Sequence, residues 1–462
     1  MIRTLVISGL LAVSAQAFDE STPMEVTPAS VDASIKRGID FLVGFQSPNG
    51  SWGNPTLTKD LNIYAPIPGA HHAYRAGATG LAISGMLDCN DSRPEVQASL
   101  KKAAAWVAEE LPKLRRADQT TTYNAWGHAY GLRAITRFWK QETDPAKKAE
   151  WVRLGQEQVD LVNRYEDVNG GWGYLDIYDG LATQKPSGIP TSFTTATVLL
   201  AMDEARKTMG VKLDDKLVAH AVAMLGRQRT PDFSYVYSDK HVMAPRAPIN
   251  RPAGSLSRSQ ACNAALRVFG EKLITDEVLD QWAERFLDRQ GFLDMTRERP
   301  VPHEGPFQIA GYFYYYGIYY FTESAKMLPQ DKQAAYAKRL AAIILTHQQK
   351  DGSWWDYPLY SYHQPYGTGY ALMALAWCRE AMRDLFGKIG GQVETDVVEV
   401  KTAENADRAV ANPNSSKLPA RMAGGKAVIK PHSPALRSDS LALSGASRRN
   451  QIPGNNQPIN GD

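Results

Sequence analysis

The sequence predicts an all-α protein, a single closed ring of six outer/inner helix pairs with a disordered C-terminal tail, and three observations carry that expectation. A turn bearing Gly and Trp recurs near both ends of the chain behind the same helical pattern. Charged amphipathic segments alternate with nearly apolar ones between those turns. No stretch alternates apolar and polar residues as a half-buried strand would.

The repeated turn is the firmest of the three. Arg339, Ile343, Ile344, Gln348, Gly352, Ser353 and Trp354 keep the offsets of Arg37, Phe41, Leu42, Gln46, Gly50, Ser51 and Trp52, 302 residues later. A weaker copy puts Glu166 in the Gln position, ahead of Gly170 and Trp172, and fainter traces run over 228–235 and at Gln290. Amphipathic helices with one polar face are expected at 31–46, 95–111, 146–165, 213–228, 275–289 and 330–348. Each is followed by a segment rich in Ala, Gly and Thr at its start and apolar all round, at 70–87, 123–139, 191–206, 255–269, 307–327 and 366–383. The first set reads as outer helices and the second as buried inner ones. An open array of such pairs would leave apolar end faces that need polar caps. Closure removes the ends and brings the starts of the inner helices together around an axial cavity.

Composition excludes several classes. The 462 residues carry a net charge of +3, with 43% apolar, 10% aromatic and 22% charged residues, ordinary values for a globular chain. Residues 401–462 alone hold a net +5, and 18–400 a net −3. A slightly acidic body lacks the basic face that a phosphate backbone requires, so nucleic acid is excluded as a partner of the folded part. The tail has no Phe, Trp or Tyr and reads as a disordered basic segment over 396–462. Residues 1–17 combine Arg3, an apolar run from Leu5 to Val13 and Ala15-Gln16-Ala17, the pattern of a secretory signal cleaved after Ala17. The expectation is an extracytoplasmic (periplasmic or secreted) protein, with its ring domain in 18–395 and no transmembrane segment. Cys89, Cys262 and Cys378 are too few and too widely spaced for a disulfide framework and read as buried apolar residues.

The segment from Arg37 to Trp52, with Gln46, Gly50 and Trp52 at its end, resembles the QW repeat of the squalene cyclase and protein prenyltransferase superfamily, as does the copy ending in Gln348, Gly352 and Trp354. The resemblance implies an (α/α)6 toroid and, for Gln46, Trp52, Trp172, Gln348 and Trp354, a structural role: the Gln closes an outer helix and the Trp packs over the turn. It does not carry over the superfamily's chemistry. The Asp-x-Asp-Asp acid of the cyclases is absent, and Asp214-Asp215 begins an outer helix, where carboxylates favour the N-terminus. The zinc set of the prenyltransferases requires an Asp two residues before a Cys, where this chain has Gln260 before Cys262. No metal or cofactor is expected.

Polar and aromatic residues gather instead at the inner-helix starts. His71, His72, Arg258, His303, Glu304 and His363 are the candidates for proton transfer or catalysis. A carboxylate next to an imidazole raises its basicity, and an Arg on an apolar helix must reach a carboxylate, an anionic ligand or the wet cavity. Tyr123, Trp126, His128, Gln308, Tyr312, Tyr315 and Tyr366 are the candidates for ligand binding, with aromatic faces suited to a cation or a sugar ring. For each, capping, core packing or pairing within the rim is the competing reading. Three functions fit: a protein that binds and transforms a hydrophobic or terpenoid-like molecule in the cavity, a carbohydrate-active (α/α)6 hydrolase or lyase, or a non-catalytic binding scaffold. A glycan enzyme needs two carboxylates, or a base with Arg or Lys neighbours, facing one another in the cleft, for which Glu304 and Arg258 are the nearest candidates; a hydrophobic-ligand protein needs an aromatic, largely uncharged pocket; a scaffold has a plugged channel.

Overall fold

Helix starts are written plainly into the chain. Thr27 and Ser30 cap one another's backbone N–H groups at 3.1 and 2.9 Å and open α1, Pro28–Phe45. Pro145 behind the Asp144 cap opens α5, and Asp214 accepts from the backbone N–H of Lys216 and Leu217 to start α7, so the Asp214-Asp215 pair is a helix cap. The computed structural model describes residues 25–59, 68–114, 123–174 and 189–383. The expected signal segment, its cleavage site after Ala17 and the 396–462 tail lie outside the described residues.

Among those residues the outer helices are α1, α3 (Pro94–Glu110), α5 (Pro145–Asn163), α7 (Asp215–Gln228), α9 (Asp276–Asp288) and α12 (Gln330–Thr346). The inner ones are α2 (Pro68–Cys89), α4 (Asn124–Gln141), α6 (Ser192–Met209), α8 (Leu256–Val268), α11 (Phe313–Ala325) and α13 (His363–Ala381), and a five-residue α10 (Gln290–Asp294) follows α9. The inner helices pack in the order α2, α4, α6, α8, α11, α13 and back to α2, while α1 packs on α12 and α13. The ring is closed, and the chain is an (α/α)6 toroid. Among the described residues, pairing between extended segments is limited to two isolated bridges, Thr191 with Ser238 and Arg229 with Tyr235.

The repeated turns fasten each outer helix. Indole N–H groups of Trp52, Trp172 and Trp354 donate to the carbonyls of Leu42, Val162 and Ile344 at 2.7, 2.9 and 2.8 Å, ten residues upstream in each case. The three rings are fully buried. Their backbone N–H groups donate to Thr79, Thr195 and Thr368 on the inner helix that follows, tying outer to inner. Gln46 donates to the carbonyls of Gly50 and of Ser99 on the next outer helix, and Gln348 donates to those of Gly352 and of Ser34 on α1. That second bond joins the last repeat to the first. In the third copy, Glu166 accepts from Nδ1 of His220 on α7 at 3.0 Å. Gly352 has φ +91°, and a Cβ there would lie 2.5 Å from the Arg37 carbonyl oxygen, so only glycine lets the closing turn lie against α1.

One expected boundary moves. The inner helix read at 307–327 begins only at Phe313, because His303, Phe307 and Gln308 adopt left-handed φ values of 62, 57 and 56° around Pro306. Apolar composition continues through this loop and gives no sign of the break. Cys89, Cys262 and Cys378 are free and buried, and burial raises each thiol's pKa.

Candidate functional site

The inner helices enclose a cavity and a charged plug. At their N-terminal ends lies a cavity of about 130 Å³. Thirteen of its eighteen lining residues are aromatic, ten of them tyrosines, and none is charged. Tyr74 of α2, Trp126 and Tyr130 of α4, Phe193 of α6, Phe313 and Tyr316 of α11, and Tyr366 and Tyr370 of α13 supply most of the wall. Tyr123, Tyr312 and Tyr362, each immediately before an inner helix, complete it with Tyr174 and Tyr357. The rings meet edge-on or tilted, as in the contacts of Phe193 with Phe313 at 5.1 Å and of Tyr74 with Tyr123 at 4.9 Å.

Tyrosines of the wall also bond to one another and to backbone. Tyr370 donates to Tyr130, and Tyr316 donates to the Phe193 carbonyl at 3.0 Å. Deeper still, the barrel is filled by charge. Arg133 on α4 pairs with Glu204 on α6 at 3.0 Å and Glu323 on α11 at 3.3 Å, and contacts the Tyr319 hydroxyl. Arg137 pairs with Asp88 at 2.8 Å and Glu204 at 3.1 Å. The two guanidiniums hold the Glu204 carboxyl down to about 2 against the opposing effect of burial.

The cavity wall is backed by titratable groups. Asp356 is fully buried, receives the Tyr366 hydroxyl at 2.5 Å and the Tyr315 N–H at 2.9 Å, and has its pKa pushed up to about 7 by burial. Tyr366 hands this carboxyl's influence to the cavity surface. His303 stands behind Tyr312. Its Nδ1 must donate to the Gln308 carbonyl at 2.6 Å, which leaves Nε2 to accept the Tyr312 hydroxyl at 3.0 Å. Burial and the Arg258 charge lower the His303 pKa. The chain continues from Tyr312 to Tyr237 at 3.4 Å and from Tyr237 to Tyr174 at 2.8 Å. His71 lies at the mouth, its ring 4.8 Å from that of Tyr360 and its carbonyl receiving the Tyr362 hydroxyl at 3.3 Å. Burial, with Arg75 nearby, lowers its pKa.

Of the residues singled out in the sequence, Tyr123, Trp126, Tyr312 and Tyr366 line the cavity, and His71 and His303 touch wall tyrosines. The others are placed elsewhere. Arg258 is buried on α8 with its guanidinium bonded to the carbonyls of Tyr235, Gly254 and Ile249; it pins the 235–254 segment, and the anion it lacks is replaced by carbonyl oxygens. His128 faces α5, with Nδ1 on Gln158 at 2.8 Å and its ring over Tyr165, and burial lowers its pKa to about 4. His72 turns toward Trp106 of α3. His363 bonds to the Tyr360 carbonyl and packs on Trp355, with its pKa lowered by burial to about 4. Glu304 and Gln308 are exposed, and His303 bonds to the Gln308 backbone and to Tyr312 rather than to the neighbouring carboxylate. Tyr315 is buried behind the wall, on the Asp356 side.

Sequence reasoning missed Asp356. A signal was available: it stands two residues after the repeat Trp354, where the first copy has Asn54 after Trp52. No group of three or more His, Cys, Asp or Glu placed to hold a metal ion occurs among the described residues, and no described helix is long and apolar enough to cross a membrane.

No protein-family model and no curated protein matches the chain. Solved structures do. Cellobiose 2-epimerase from Spirochaeta thermophila has a TM-score of 0.50 at 15% identity, over 78% of this chain and 97% of that one. The type II terpene cyclase MstE from Scytonema has a TM-score of 0.45 at 13% identity, over 77% of this chain and all of that one. An inactive variant of the alpha-1,6-mannanase GH76A of Salegentibacter, in complex with alpha-1,6-mannotetrose, has a TM-score of 0.46 at 12% identity, over 77% and 99%. At these identities the likeness is one of fold.

Proposed function

We propose that the protein binds a small hydrophobic molecule in the aromatic cavity at the inner-helix N-terminal rim, in an extracytoplasmic compartment after loss of residues 1–17. One observation carries the reading: the wall is aromatic and uncharged, with no facing pair of carboxylates among its residues. A glycan hydrolase of this fold needs such a pair at the rim; the nearest arrangement to a base beside a cation is His71 with Arg75 at the mouth, outside the wall itself. A plugged scaffold would leave no cavity there; the plug of ion pairs lies deeper, at Arg133 and Arg137. The volume is close to that of cavities that hold one aromatic ring. Acid–base chemistry at the wall has two sources, Asp356 through Tyr366 and His303 through Tyr312.

Native mass spectrometry and calorimetry of the purified protein, against small apolar compounds and neutral and acidic oligosaccharides, test the proposal. An apolar compound is expected to bind, and Gly77→Val, which projects a side chain from α2 into the cavity, is expected to abolish that binding. Binding of oligosaccharides alone, or of nothing, would overturn it. N-terminal sequencing of protein recovered outside the cytoplasm is expected to begin at Phe18.

A further inference from the structure

Arg258 fixes a segment that reaches solvent. Its buried guanidinium donates to the carbonyls of Tyr235, Gly254 and Ile249, and between those anchors the chain runs out over residues 239–251 and back. The segment is braced along its length. His241, Ala244, Ala247 and Asn250 each donate a backbone N–H to the carbonyl three residues earlier, at 2.8, 3.0, 3.0 and 2.9 Å. Asn250 sends Nδ2 to the carbonyls of His241 and Ala244 at 3.3 and 2.9 Å and receives the Tyr237 N–H at 3.0 Å. Ser238 and His241 meet at 2.8 Å through Oγ and Nδ1. A surface excursion held by this many internal bonds is positioned by the scaffold, as binding loops are.

What it presents is apolar and basic. Met243 is 89% exposed and Val242 39%, and both share a surface depression with the exposed Val168. Lone exposed apolar residues are ordinary on a protein surface; three together beside a braced backbone are not. Lys240, Arg246 and Arg251 flank the pair in the chain, are exposed, and form no ion pair among the described residues. No Asp or Glu occurs in 240–251, and Asp239 is already shared by Arg227 and Gln228. This connection joins the outer α7 to the inner α8, so it lies at the end of the ring where the inner helices begin and the aromatic cavity sits. Leu57 and Met295, 61% and 43% exposed, stand on two other connections of that end. Among the described residues Leu273 is the one large exposed apolar residue at the opposite end.

We infer that the 239–251 segment docks the cavity end of the ring onto an anionic lipid surface. Val242 and Met243 enter the acyl boundary, and Lys240, Arg246 and Arg251 lie among the head groups. A soluble polyanion would satisfy the three cations and leave the apolar pair in water; a neutral membrane would do the reverse. Negative head groups above hydrocarbon meet both. The docking is peripheral, since no described helix is long and apolar enough to cross a membrane. It does not depend on what the cavity binds, and no ligand enters its test.

The test is co-sedimentation of the full chain with vesicles of phosphatidylcholine, alone or with about a third phosphatidylglycerol. Binding is expected to the mixed vesicles and is expected to fall steeply with salt. Residues 401–462, with a net +5, are a second basic region, so the decision rests on the loop. Met243→Asp and Arg246→Glu are each expected to weaken vesicle binding about tenfold. Both side chains are exposed, so the ring is expected to fold unchanged, which circular dichroism checks. Met243→Cys takes an environment-sensitive dye selectively, because the three native cysteines are buried. Its emission is expected to shift to the blue on the mixed vesicles and to stay in place with soluble polyglutamate. Vesicle binding that both substitutions leave unchanged would overturn the inference and point to the basic tail. Absence of vesicle binding, or binding without the blue shift, would overturn it as well.

Discussion

The two ends of the same six-helix barrel are built on opposite principles. At the N-terminal ends of the inner helices the lumen is walled by aromatic rings with no charge, and at the C-terminal ends it is packed with arginines and carboxylates that pair across α2, α4, α6 and α11. The contrast separates holding from binding. A ring of helices needs something that fixes the spacing of its members, and buried ion pairs do this with directional bonds, at a desolvation cost that each pair must recover. The other end is relieved of that task and keeps a cavity.

Breaking the charged end is expected to have the largest effect. Arg133→Ala leaves Glu204 and Glu323 without their shared guanidinium and is expected to cost about 3 kcal/mol in denaturant unfolding. Stability unchanged within error would mean that these pairs do not hold the lumen. Gly352→Ala attacks the closure itself and is expected to cost about 2 kcal/mol, because alanine is strained at φ +91° and meets the Arg37 carbonyl. Gly226→Ala, on an open face of α7 with nothing within 4 Å, is the control and is expected to be neutral or slightly stabilising.

The aromatic end sharpens the comparison through pH. Asp356 has its folded pKa raised from 3.8 to about 7, so its contribution to stability is complete below about pH 3.8 and lost as the pH rises through about 7. His128 and His363 have theirs lowered from 6.5 to about 4, so their contribution is complete above pH 6.5 and lost as the pH falls through about 4. Asp356→Asn is expected to remove the fall in melting temperature that Asp356 contributes between about pH 3.8 and 7, leaving the rise from the histidines over that range unopposed and the profile above pH 7 unchanged in slope. A variant that keeps the wild-type slope between those pH values would remove Asp356 from the account. A small effect on stability is expected from Gly77→Val, whose added Cβ meets only the Tyr130 ring, at 3.8 Å; a loss of several kcal/mol would mean that this wall is part of the scaffold.

Much of the ring was legible because its devices are local. Gln46, Gly50 and Trp52 act within a few residues of one outer helix, so their spacing survives in Gln348, Gly352 and Trp354, and the alternation of amphipathic and apolar segments follows from which helices meet solvent. The site was legible only in part. Tyr312 and Tyr366 were reached from their places at inner-helix starts, but the same rule also selected His128 and Arg258, whose partners Gln158, Tyr235 and Ile249 lie on segments that no periodicity links to them.

By itself the sequence determined twelve principal helices, their outer or inner character and the turns that fasten them, because each depends on residues within a turn or two of one another. The tertiary structure alone decided which face of each inner helix meets the lumen, that Asp356 stands behind Tyr366, and that His303 stands behind Tyr312. Those facts depend on contacts between segments distant in the chain, where a rotation of a few tens of degrees about one helix axis exchanges a binding residue for a buried one.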